Sequence, residues 1–88
     1  MKRITTENKF KAAGWTVTRP TEGWHKGHSV FTKEGHTRTV YFTPAYTGVG
    51  PDMVYGDDDA GYCVIDCGGG DEYGKTIKQS IEYAERWA

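Results

Sequence analysis

Hydrophobic and polar positions change period several times along the chain, and each change predicts an element. Thr5 or Thr6 is suited to cap a short helix reaching Ala13, with Gly14 as its left-handed stop. Phe10 and Ala13 are three apart, as a buried helical stripe requires, but two turns need tertiary packing to persist. Trp15 to Arg19 alternates large and polar residues and ends at Pro20, which reads as a strand with Trp15 and Val17 on one face. Residues 28–33 and 36–43 are rich in β-branched and aromatic types, and Glu34-Gly35 between them fits a tight turn. Pairing Lys33 with His36 sets Val30 opposite Thr39 and Phe31 opposite Arg38 in the expected hairpin.

Glycines, prolines and the acidic run Asp57-Asp58-Asp59 make 44–61 read as loops around a short strand, Met53-Val54-Tyr55. Tyr62 to Cys67 is a further strand with Cys63, Ile65 and Cys67 on one face. Gly68-Gly69-Gly70 breaks the chain. A last amphipathic helix is expected from Asp71 or Tyr73 to the end, with Ile77, Ile81, Ala84 and Ala88 in its stripe and Tyr83 and Trp87 beside it. The fold class expected is α+β: one domain over residues 1–88, an antiparallel sheet of three to five strands, and both helices on one face.

Composition narrows this picture. A chain of 88 residues and 9.8 kDa has room for one domain and buries about 60–65% of its unfolded surface. Aromatic residues at 14% let a small core rest on a few large side chains. A coiled coil, a disordered tail and a multidomain enzyme are excluded. No run approaches the roughly 20 apolar residues of a membrane span, and residues 1–8 lack the apolar run of a signal peptide. A cytoplasmic protein with reduced cysteines is therefore expected. Four strand residues would separate Cys63 from Cys67 by about 13 Å, too far for a disulfide.

Charge is divided unevenly. Residues 1–44 hold eight Lys and Arg against three Glu, a net of +5, and residues 45–88 hold three against nine acids, a net of −6. A molecule with one basic and one acidic side would show such a split. Small domains commonly pair their first and last elements, however, so the halves are expected to interleave and their charges to mix.

Candidate chemistry is thin. Gly69 to Thr76 matches the phosphate-binding pattern G-x-x-x-x-G-K-T between an expected strand and helix. Too little chain follows for the parallel strands and magnesium carboxylate of a nucleotide-hydrolysing domain, and Asp71 and Glu72 would oppose phosphate. They read instead as first-turn residues of the last helix. His25, His28, His36, Cys63 and Cys67 include zinc-ligand types without zinc-site spacing. Asp57, Asp58 and Asp59, with Asp52 and Asp66, lack the alternation of a calcium loop. Neither Ser29 nor Ser80 sits in a nucleophile elbow. No cofactor, no metal and no enzymatic activity are expected.

Two binding readings remain. In one, Lys26, His28, Lys33, His36 and Arg38 interleave with Trp24, Phe31 and Tyr41 to contact nucleic acid, with phosphates paired and bases stacked. The α-β-β-β-α order resembles a double-stranded-RNA-binding domain in outline. The paired lysines that such domains carry at the start of the last helix are missing from Gly74-Lys75-Thr76-Ile77-Lys78. In the other, preferred reading, the protein is a non-enzymatic binder that occupies a basic surface of another protein. Its contacts would be Asp57, Asp58 and Asp59 on a protruding turn, with Tyr55 and Tyr62 beside them. In size and irregularity the chain is similar to small phage or mobile-element accessory proteins, including inhibitors of bacterial defence systems such as anti-CRISPR proteins. That resemblance implies a viral protein whose partner is a nucleic-acid-binding complex. No membrane partner is expected.

Overall fold

The computed structural model describes residues 1–23, 25–47, 54–66, 71–74 and 76–86; at 46–47, 54–58 and 71–74 only the backbone is considered. In chain order the elements are α1 (Arg3–Ala12), β1 (Thr16–Thr18), β2 (Ser29–Thr32), β3 (Thr39–Thr47), β4 (Val54–Asp66), β5 (Asp71–Gly74) and α2 (Ile77–Glu85). The five strands form one antiparallel sheet in the order β1-β2-β3-β4-β5. The α+β class, the antiparallel sheet and the helices on one face agree with the sequence reading.

Strand alternation explains the layering. Phe31, Val40 and Ile65 align across β2, β3 and β4, as do Ser29, Phe42 and Cys63, and all six are buried. Phe10 of α1 and Ala84 of α2 complete the same core, with Phe10 stacked on Phe31 at 4.3 Å and set edge-on to Trp15. Val30, Tyr41 and Val64 align on the opposite face, which neither α1 nor α2 covers.

Several expectations are corrected. Helix α1 starts at Arg3 with Lys2 at the cap position and no side-chain cap. Thr6 lies inside the helix, where its Oγ1 donates to the Lys2 carbonyl, so neither expected threonine caps it. Its buried stripe is Arg3, Thr6, Glu7 and Phe10, a polar stripe apart from its last member. Gly14 does close the helix, at φ +93°. The Glu34-Gly35 turn also forms, with the His36 N–H donating to the Lys33 carbonyl. The strands resume only at Thr39, however, and Phe31 pairs with Val40 instead of Arg38. A shift of two residues preserves the buried face, so hydrophobic alternation alone could not detect it.

The acidic run is not a free turn. Asp57 to Gly61 belongs to β4, and β3 pairs Thr43 with Tyr62 and Ala45 with Asp57. Between those pairs, residues 58–61 of β4 face Pro44 alone, a large bulge at a residue with no N–H to give. Asp71 to Gly74 is likewise a strand, not the first turn of the last helix, which begins after Thr76. The Thr76 Oγ1 accepts from the Gln79 N–H at 3.0 Å, a regular N-cap. Ser80 and Ala84 are buried in α2, with Ile77 and Ile81 half-buried on its flank. The expected positions at Met53, Cys67, Gly68-Gly69-Gly70, Lys75, Trp87 and Ala88 lie outside the described residues.

Because sheet order is chain order, β1 and β5 occupy opposite edges. Within the sheet the halves do not interleave, but the helices bring them together as expected: α1 meets β4 and α2, and Lys33 pairs with Glu85. Strands β4 and β5 contain Asp57, Asp58, Asp59, Asp66, Asp71 and Glu72 and no lysine or arginine.

Candidate functional site

The uncovered sheet face has a cleft of about 310 Å³ lined by His25, His28, Tyr41, Thr43, Val64 and Asp66. Tyr41 and Thr43 come from β3, and Val64 and Asp66 from β4, where each alternates with a core residue. The two histidines come from the β1–β2 connection. Gly23 and Gly27 take positive φ of +83° and +88° there, and tight turns return the Lys26 N–H to the Gly23 carbonyl and the His28 N–H to the His25 carbonyl.

Helix α1 fastens this connection. Arg3 donates from Nη2 to the Gly27 carbonyl at 2.8 Å and from Nε to the Ser29 Oγ at 2.9 Å. Ser29 donates in turn to the Glu7 carboxylate at 2.8 Å, and Arg19 grips the same carboxylate through two bonds of 2.7 and 2.9 Å. The connection is thus pinned at both ends. Its His25 ring lies on the Tyr41 ring, with centroids 4.2 Å apart and planes 17° from parallel, and the His28 ring is 6.0 Å from His25. Burial, then the charges of His25 and Arg3, hold the His28 imidazole below its ordinary pKa of 6.5 and favour its neutral form.

The sequence-derived contact residues fall in two regions. Tyr55, Asp57 and Asp58 stand on β4, with Tyr55 paired to Tyr46 and Asp57 to Ala45. Their side chains lie outside the described residues. Asp59 is exposed in the bulge, and Tyr62, opposite Thr43, is 41% exposed. The basic set is divided. Lys26 is exposed beside the cleft and His28 lines it, at the start of β2. Lys33, at the other end of β2, donates to the Ala13 carbonyl at 2.8 Å and to Glu85 at 3.2 Å, and stands over the Trp15 ring. His36 packs near Trp15, its ring 5.6 Å away, and Arg38 is half-buried just before β3. Trp24 lies outside the described residues. Lys33 is therefore part of the joint between the two helices and β1, where Trp15 also donates its indole N–H to Glu85.

Among the described residues, no group of three or more His, Cys, Asp or Glu side chains could hold a metal ion. Cys63 is buried in the core; burial pushes its thiol up to about 11, with a Ser80 hydrogen bond opposing part of that. The phosphate-loop look-alike has its Asp71 to Gly74 stretch paired with β4 instead of curled around an anion. No described helix is long and apolar enough to cross a membrane.

His25, Tyr41, Thr43, Val64 and Asp66 form the cleft without having been grouped beforehand. A signal was present in part: Tyr41/Thr43 and Val64/Asp66 each alternate with core positions along their strands. Placing His25 over Tyr41 depends on Arg3 and Glu7, distant in the chain. Compared with known protein families, curated proteins and solved structures, the chain matches none.

Proposed function

We propose that this is a small non-enzymatic binding protein that occupies a basic surface of another protein with its uncovered sheet face and the acidic β4–β5 side. The observation that carries this reading is the sheet order. It puts β4 and β5 with their acids at one edge of the sheet. There Asp66 and Asp71 fall on the face that holds Tyr41, Tyr62 and Val64, and Glu72, opposite Ile65, falls on the other. Aromatic residues beside carboxylates suit a contact steered by charge and anchored by ring burial. The separation of Lys26 and His28 from Lys33 and His36, with Lys33 committed to Glu85 and Ala13, weighs against the nucleic-acid alternative. Within this proposal, the similarity in type to phage inhibitors of bacterial defence systems makes a nucleic-acid-binding complex the first partner class to try, because an acidic blocker competes there with phosphate.

The test uses the intact chain as bait, alongside a variant with Asp57, Asp58 and Asp59 all changed to lysine. The variant should keep its fold and lose about tenfold or more in affinity for the captured partner, about 1.4 kcal/mol. The loss should fall mainly on the association rate and shrink as salt rises, since screening acts over about 8 Å at physiological ionic strength. An unchanged low-salt affinity overturns the reading. Retention on heparin or DNA that is abolished by changes at Lys26 and Arg38 would replace it with the nucleic-acid alternative.

A further inference from the structure

We propose that the flank of α2 is a self-association surface, on which a second copy of this chain docks antiparallel about a two-fold axis. Helix α2 buries Ser80 and Ala84 against the core. Ile77 and Ile81 lie one turn apart beside that stripe and are only half-buried. Lys78 and Glu82 come next around the helix, again one turn apart, and both are exposed. Together with Lys9 of α1 these four residues line a groove of about 430 Å³. Isoleucine side chains and lysine stems make such a groove apolar, while the charged heads stay in water.

The charge pattern selects the occupant. A two-fold axis through the middle of this stretch reverses the second helix, so Lys78 of each copy meets Glu82 of the other. Ile77 and Ile81 of both copies then meet between the two ion pairs. Both charges are available for that pairing. Lysine four residues ahead of glutamate is the less favourable order for a pair within one helix, and neither Lys78 nor Glu82 makes an ion pair with another described residue. Lys9 gives the incoming Glu82 a second cation. Glu85, one turn beyond Ile81, is held by Trp15 and Lys33 and stays with its own chain. A basic segment seated here would face Lys9 and Lys78, and a wholly acidic one would face Glu82. A second copy satisfies both signs.

Size sets the strength. With nine residues α2 is about 14 Å long, so two such flanks bury less than the roughly 1,200 Å² of a stable interface. The dimer is therefore weak and forms at high protein concentration. Both helices pack on the sheet face opposite to Tyr41 and Val64, so the contact leaves that face and the β4–β5 edge outside the interface in each copy. It does not depend on what those surfaces bind, and it makes the protein bivalent toward any partner they take.

The experiment is sedimentation equilibrium of the full chain at low salt from about 10 μM to about 1 mM, with NMR spectra of the same samples. A monomer–dimer equilibrium is expected, with concentration-dependent shifts at Ile77, Lys78, Ile81 and Glu82. Lys78→Glu and Glu82→Lys, both at exposed positions, should keep the circular dichroism and Tm of the wild type. Each should weaken the dimer about tenfold, because the axis turns one reversal into two like-charge contacts. The double variant Lys78→Glu/Glu82→Lys restores both opposite-charge pairs and should return to within about threefold of the wild type. A monomer at about 1 mM, a dimer indifferent to both single reversals, or a double variant as weak as the singles each overturns the proposal. A monomer whose Ile77 and Ile81 resonances move with a glutamate-rich peptide overturns it in favour of an acidic partner segment.

Discussion

Replacing Glu7 with glutamine tests whether the buried polar stripe of α1 is what holds the cleft-forming connection. Glu7 is only 5% exposed and accepts from Ser29, which is fully buried, and twice from Arg19. Arg3, 9% exposed, donates to the same Ser29 hydroxyl. Glutamine keeps the volume but removes the charge and turns one acceptor into a donor facing donors. A hydrogen bond to a charged group contributes roughly 1.5–3 kcal/mol when buried. The Arg19 side chain is 49% exposed, so its ion pair adds at most about 1 kcal/mol after solvent screening. Partial compensation by the amide oxygen leaves an expected loss of about 2 kcal/mol for Glu7→Gln, or about 10 °C in Tm for a domain of this size. Urea unfolding near neutral pH measures it. Burial alone would raise the Glu7 carboxyl, but hydrogen bonds from Arg19 and Ser29 and the charges of Arg19 and Arg3 outweigh it and hold the pKa below the ordinary 4.5. The stabilisation from a depressed carboxylate is complete above the unfolded pKa and is lost as pH falls through the folded one. The gap between wild type and variant should therefore be full at neutral pH and shrink below about pH 4.5. A variant as stable as the wild type, or a gap that persists unchanged in acid, refutes the reasoning.

Gly61→Ala would push a methyl into the Phe42 ring and to 2.6 Å from the Thr43 carbonyl oxygen, so thermal unfolding should show a loss of about 1–3 kcal/mol or more. Removing the α2 cap with Thr76→Ala should cost about 1 kcal/mol in chemical denaturation, and Thr76→Ser should recover most of it. In a Cys67→Ser background the Cys63 thiol, buried and pushed up to about 11, should resist alkylation at neutral pH until the protein unfolds; rapid native labelling would place it at the surface.

What the sequence determined by itself is local and periodic. Alternation in 28–33, 36–43 and 62–67 identified the core strands, because a two-residue period distinguishes the faces without knowing the partner strand. Gly14 and Gly35 marked their turns through positive φ, which side-chain sterics make legible in sequence. The α+β class follows from these elements together with the apolar flank of α2.

Tertiary structure decided everything in which a local preference had to yield to a distant partner. The register of β2 on β3 moved by two residues, since either pairing buries Phe31 and Val40 and the longer connection left the choice to packing. The acidic, glycine-bearing stretch 56–61 reads as a turn, yet β3 supplies a partner and draws it into a bulged strand. Glu7 would pass for a solvated helix residue until Arg3, Ser29 and Arg19 surround it, and those bonds carry His25 to Tyr41. The charge split was countable in the sequence. Its separation across the sheet depended on the strand order, because an up-and-down meander turns distance along the chain into distance across the sheet, whereas α2 folds back to set Glu85 against Lys33 of the first half.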